Sequence, residues 1–175
     1  MTTTTGESRV VSINVGKIRT IEWHGRVVRT GIWKTPVGPE PVMVRGTHVE
    51  GDEQADPTVH GGPDKAVYAY AAEDYRYWIE VEGVAAGPGL FGENLTTVGL
   101  DLRVAQAGER WHIGTALLEV TQPRLPCFKL GMRLADPAFP RRFQAAGRFG
   151  TYLRVLESGA IRVGDRINVE PPPAP

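Results

Sequence analysis

Runs of β-branched and aromatic residues, each only a few residues long, alternate with clusters of glycine and proline along almost the whole chain. With 21 glycines and 14 prolines among 175 residues, few stretches are long enough for an uninterrupted helix. Proline fixes φ and removes a backbone donor, and glycine supplies tight turns. The punctuation therefore predicts many short strands, in an all-β barrel or sandwich. The strands are expected over Arg9–Ile18, Thr20–Trp33, Val42–Val49, Ala66–Tyr70, Glu109–Ile113, Ala116–Thr121, Gly150–Leu156 and Asp165–Val169, with turns at His24-Gly25 and Ser158-Gly159.

Two helices interrupt the pattern. Tyr75, Trp78, Ile79 and Glu82 recur at helical spacing over Ala72–Glu82, and Gly83 follows as a stop. Asp136-Pro137 reads as an N-cap and first helical position, which predicts a helix over Pro137–Ala146 closed by Gly147. Phe139 and Phe143 would share its buried face. The chain is expected to form one domain over residues 9–170, with disordered ends at 1–8 and 171–175, since neither end can bury apolar surface.

Charge excludes some functions. Lys plus Arg equals Asp plus Glu, 20 against 20, so no overall basic field attracts nucleic acid or anionic lipid. Neither nucleic acid nor a membrane is an expected partner. The start of the chain lacks the basic patch and apolar run of a signal peptide, and one cysteine forms no internal disulfide. The cytoplasm is the expected compartment.

Gly87-Pro88-Gly89-Leu90-Phe91-Gly92 fits the spacing of a dinucleotide fingerprint but fails on context. No strand precedes it, and Pro88 interrupts it. The four histidines lack zinc spacing, and a lone cysteine supplies neither a thiolate cluster nor an iron–sulfur site.

Two segments carry more information. The polar stretch Glu50–Lys65 is long for a loop inside a compact domain, and its His60-Gly61-Gly62 suits an ordered, binding role. The second segment holds Cys127, flanked by Pro123, Arg124, Pro126 and Lys129. Rigid, basic surroundings favour thiolate, the form that attacks or binds soft metals. An inert buried cysteine is the alternative.

These residues together resemble the MOSC-domain family and, within it, the bacterial YiiM group. The resemblance rests on Gly16-Lys17-Ile18, Gly31-Ile32-Trp33-Lys34-Thr35-Pro36-Val37, Gly51–Asp56, His60–Lys65 with Tyr68 and Tyr70, and Glu73-Asp74-Tyr75 before Trp78. It continues through Phe91–Leu95, Val120–Arg124, Pro126–Leu130 and Gly147–Gly150 with Tyr152 and Arg154. Longer members of that group continue beyond this span into a helical segment.

The resemblance implies a MOSC-type β-barrel with a few peripheral helices. It also implies a cleft for the molybdenum cofactor, molybdopterin, with Cys127 as the protein's ligand to the metal. Lys17, Lys34, Arg124, Lys129 and Arg148, with Lys65, would cradle the cofactor's phosphate. Asp52, Gln54 and Asn94 would hydrogen-bond the pterin or the substrate, and His60 would supply a proton. The implied activity is reduction of small N-hydroxylated substrates with electrons from an external donor protein. A sulfur carrier that uses a Cys127 persulfide, and a cofactor-free barrel acting on another small molecule, are the alternatives. A metal ligand should be recessed on rigid backbone, and Pro123 and Pro126 favour that over a mobile carrier cysteine.

Overall fold

A computed structural model describes residues 7–174. In chain order its strands are β1 (Arg9–Val15), β2 (Arg19–Trp23), β3 (Arg26–Thr30), β4 (Thr35–Pro36), β5 (Val42–Arg45), β6 (His48–Val49), β7 (Val67–Ala71), β8 (Leu95–Val98), β9 (Arg110–Ile113), β10 (Ala116–Pro123), β11 (Thr151–Glu157), β12 (Gly159–Ile161) and β13 (Ile167–Glu170). The helices are α1 (Ala72–Glu80), α2 (Phe128–Arg133) and α3 (Phe139–Ala146). The chain is mainly β with few helices, and no described helix is long and apolar enough to cross a membrane.

The main sheet has eight strands in the order β13-β9-β10-β11-β7-β8-β1-β4. It shows no closed barrel, so the mainly β expectation holds and the barrel is not confirmed. Its two ends share no continuous ladder; one isolated bridge joins Arg9 to Arg166. Beside that bridge Val10 N–H donates to Asp165 O at 2.9 Å and Ile167 N–H to Ser8 O at 2.8 Å. Residues 1–6 and 175 of the expected disordered ends lie outside the described residues.

Strand β7 explains why there are two cores. Successive side chains of a strand point to opposite faces. Val67, Ala69 and Ala71 pack with Val10, Ile13, Leu95, Leu118 and Leu153. Tyr68 and Tyr70 face Trp78, Phe91, Phe139 and Phe143 on the other side. All five β7 residues are buried, as two-sided packing requires. Trp78 Nε1–H donates to Tyr70 Oη at 2.6 Å, and the Trp78 and Phe143 rings stack at 5.4 Å. The second core thus clamps α1 and α3 to the sheet.

Several boundaries depart from the sequence expectation. Thr20–Trp33 forms the hairpin of β2 and β3 about the expected turn at His24-Gly25, and its second strand ends at Thr30 rather than Trp33. His24 and Gly25 both take positive φ, 48° and 73°, the geometry of a two-residue turn matched to strand twist. Val42–Val49 divides into β5 and β6. Gly159 lies in β12 rather than in a turn, and α3 begins at Phe139 rather than Pro137. Strand β8 is additional; it pairs in parallel with β7, and α1 supplies part of the crossover that such pairing needs. Helix α2 is also additional, because six residues are too few to show a period.

The Gly87–Gly92 segment forms turns, as expected of a loop. It is pinned by Glu93, which is fully buried. The Glu93 carboxylate accepts from Gly89 N–H at 2.8 Å, Phe91 N–H at 3.0 Å and the Tyr75 hydroxyl. Burial nonetheless raises its pKa to about 7 against these donors. A carboxyl raised above its unfolded value stabilises the fold fully below that value and loses the contribution as pH rises through the folded pKa. Unfolding free energy should therefore fall by ~1–3 kcal/mol between about pH 5 and pH 8, and Glu93→Gln should remove this step. Denaturant melts of both proteins check it, since their difference isolates this carboxyl from the other titrating groups.

Candidate functional site

A cleft opens where the β3 exit, the Glu50–Lys65 loop, the Phe91-Gly92 turn and the start of α2 meet. Of the predicted residues, it brings together Lys34, Asp52, Gln54, His60, Asn94, Arg124, Cys127 and Lys129, with Lys65. Gly31 permits the approach of the first two segments, because a Cβ there would stand 2.3 Å from Glu53 O.

Two predicted residues lie elsewhere. The Lys17 side chain is 68% exposed and pairs with Glu53 at 3.2 Å. Arg148 sits over the Tyr77 ring, paired with Asp74, in a separate depression beside Asp101 and Arg103. Burial raises the Asp74 carboxyl, and Arg148 opposes that rise.

Within the cleft the residues divide by what their polar atoms already do. Lys34 is buried and donates to both oxygens of Asp52, at 2.5 and 2.6 Å. Asp52 also accepts from Gly16 N–H at 2.8 Å and from Asn94 Nδ2 at 2.9 Å. Asn94 Oδ1 accepts from Tyr68 N–H at 3.1 Å. Gln54 donates to Thr47 O at 2.9 Å and accepts from Gly62 N–H at 3.1 Å, so it staples its own loop. These four form the wall, with their hydrogen-bonding capacity largely used.

The other side of the cleft is lined by His60, Arg124, Cys127 and Lys129. Asp56 holds the turn before His60: it accepts from Thr58 Oγ1 at 2.6 Å, and its carbonyl accepts from His60 N–H at 2.9 Å. Cys127 ends the Pro123–Pro126 segment and immediately precedes α2. Burial raises its thiol pKa, but the His60 imidazole, the Arg124 guanidinium and Lys129 N–H outweigh it and bring the value down to about 7. Thiolate is therefore abundant near neutrality.

Arg124 explains part of that shift. It is 5% exposed and lies 5.7 Å from the Tyr68 ring centroid, and no described carboxylate forms a salt bridge with it. Burial holds the phenols of Tyr68 and Tyr152 above their usual range, so both remain neutral. Of the side chains beside Arg124, the Cys127 thiol is the one that ionises near neutrality. Tyr68 and Tyr152 are thus site residues to which the sequence assigned no role. The alternation Tyr68-Ala69-Tyr70 was their signal, and it places Tyr68 on the face away from the main core.

Among the described residues no group of three or more His, Cys, Asp or Glu could hold a metal ion.

The MOSC domain model matches residues 56–168. The uncharacterized protein YflK of Bacillus subtilis is 39% identical over 160 residues, covering 91% of this chain and 72% of YflK. A protein named Reductase from Gibberella moniliformis is 37% identical over 139 residues, 77% of this chain but only 25% of that protein. The crystal structure of YiiM from Geobacillus stearothermophilus superposes with a TM-score of 0.76 at 38% identity, covering 94% of this chain and 75% of that one. The chain belongs to the MOSC-domain family and is similar to its YiiM members.

Proposed function

We propose that this protein is a molybdenum-cofactor-dependent oxidoreductase that reduces small N-hydroxylated compounds with electrons from an external donor. The observation that carries the reading is Cys127. Its thiol is brought to about 7 in a cleft that offers a metal one soft ligand and no cluster of others. The similarity to a protein named Reductase supports the redox class.

The residues fit such a group in donor chemistry. Cys127 would be its protein ligand, and Arg124 and Lys129 would face its anionic parts. Lys34 and Asp52 neutralise each other, so they shape the wall rather than carry charge to a ligand. The enclosed volume is about 80 Å3. Pockets that surround a whole ligand run to ~300–1,000 Å3, so the cleft encloses only part of a group of that size.

When bound, the cofactor would supply the two electrons that break the N–O bond. The balanced change is R–NH–OH plus two electrons and two protons, giving R–NH2 and water. His60 would hold the proton delivered to the departing hydroxyl oxygen. It lies beside Cys127 on a turn fixed by Asp56, where a positioned acid is worth ~10²–10⁴ in rate. Arg124, buried and without a carboxylate, keeps the thiolate ionised. The persulfide reading also uses an ionised Cys127, but a carrier must present its sulfur to a partner, and this one is half-buried between Pro126 and α2.

Alkylation of Cys127 by iodoacetamide should follow a titration with a midpoint of about 7. His60→Asn should move that midpoint upward, since it removes the main group holding the thiol down. An unchanged midpoint would separate the two side chains.

Protein made in a host competent for cofactor synthesis should contain about one molybdenum per chain, measured by elemental analysis, and Cys127→Ser should lose it. Arg124→Ala should lower occupancy. His60→Asn should retain metal yet slow hydroxylamine reduction by about a hundredfold. Full occupancy without activity on a panel of N-hydroxylated compounds would favour sulfur transfer instead.

A further inference from the structure

Two arginines far apart in sequence meet at one indole. The Arg19 guanidinium lies 6.0 Å from the Trp33 ring centroid, and that of Arg133 lies 5.6 Å from it. No described carboxylate forms a salt bridge with either, whereas Arg103, Arg142, Arg148 and Arg154 all have acidic partners. The Arg133 Nε–H is buried and has no hydrogen-bond partner. Burial, and after it the charge of Arg19, weakens the hold of Arg133 on its proton. Like charges have thus been gathered without an ion-paired carboxylate, and the Glu93 carboxyl opposes their effect on Arg133 only in part.

Their placement indicates a purpose. Arg133 ends α2, four residues after Lys129, and on a helix such residues share one face about 6 Å apart. Lys129 lines the cleft beside Cys127. Arg19 opens β2, in a hairpin whose only ladder is with β3. A two-stranded ribbon of this kind is marginal by itself, so a ligand that bridges Arg19 to Arg133 would also fasten it. Guanidinium forks match the oxygens of a phosphate better than a point charge does.

We infer that Arg19, Trp33 and Arg133 form a seat for a phosphate monoester, set one turn of α2 beyond Lys129, which lines the cleft of the thiolate. The seat rests on two guanidinium groups without a salt-bridge partner among the described residues and stands whether or not the cleft takes the molybdenum cofactor. Two sources share this chemistry: the phosphate of a cofactor lying in the cleft, and that of a nucleotide-like substrate or free phosphate.

The test is calorimetric titration of inorganic phosphate into the metal-free chain at constant ionic strength, with tryptophan fluorescence followed in parallel. Saturable binding is expected in the millimolar range or tighter. Arg19→Gln and Arg133→Gln should each weaken it about tenfold, the usual effect of losing a charge-assisted hydrogen bond. Trp33→Phe should abolish the fluorescence change while the heat of binding persists. Arg19 is exposed on its hairpin, so Arg19→Gln keeps the test decisive even if Arg133→Gln folds poorly. Absence of saturable binding, an equal response to acetate, or wild-type affinity in Arg19→Gln would overturn the seat. Repeating the titration on cofactor-loaded protein separates the sources. Loss of binding there assigns the seat to the cofactor's phosphate, and retained binding assigns it to a substrate or free phosphate.

Discussion

The cleft depends on a buried ion pair, Lys34–Asp52. Charges taken out of water are tolerable only when each is paired and its remaining hydrogen bonds are met. Here that demand is met from several elements at once. Asp52 belongs to the Glu50–Lys65 loop, Lys34 to the segment after β3, Gly16 to the end of β1, and Asn94 to the entry of β8. Removing either charge would leave the other buried and alone, a loss of ~3–5 kcal/mol. The loop that presents His60 is thereby tied to the sheet.

The same pair belongs to one side of the cleft, whose polar atoms are already satisfied. Lys34, Asp52, Gln54 and Asn94 spend their polar atoms on each other and on backbone, so they set shape. His60, Arg124, Cys127 and Lys129 keep chemistry available. Arg124 depends in turn on β7. Two-sided burial of that strand sends Tyr68 away from the main core, and its ring lies beside the guanidinium while burial keeps the phenol neutral.

Two groups titrating near neutrality act on stability in opposite senses. Glu93 is raised to about 7 by burial, so its contribution is lost as pH rises through that value. Cys127 is lowered to about 7, so its contribution is complete above the unfolded thiol value and is lost as pH falls through 7. Rising pH therefore weakens the buried Glu93 anchor while it ionises the thiol.

The sequence by itself determined the class of the fold, because proline and glycine chemistry acts within a few residues. Short strands, the helices near Ala72 and Phe139, and the Gly87–Gly92 loop follow from local rules. Its motif set also determined the family and marked Cys127, His60 and Arg124. Tertiary structure decided what no local rule contains. It left the sheet open, placed the short β8 and α2, and turned Lys34, Asp52 and Asn94 inward to satisfy one another. It also carried Lys17 and Arg148 to other carboxylates and brought Arg19 and Arg133 to the same indole. A charge reads alike in sequence whether it meets solvent, an acid or a ligand; only long-range packing selects its neighbour.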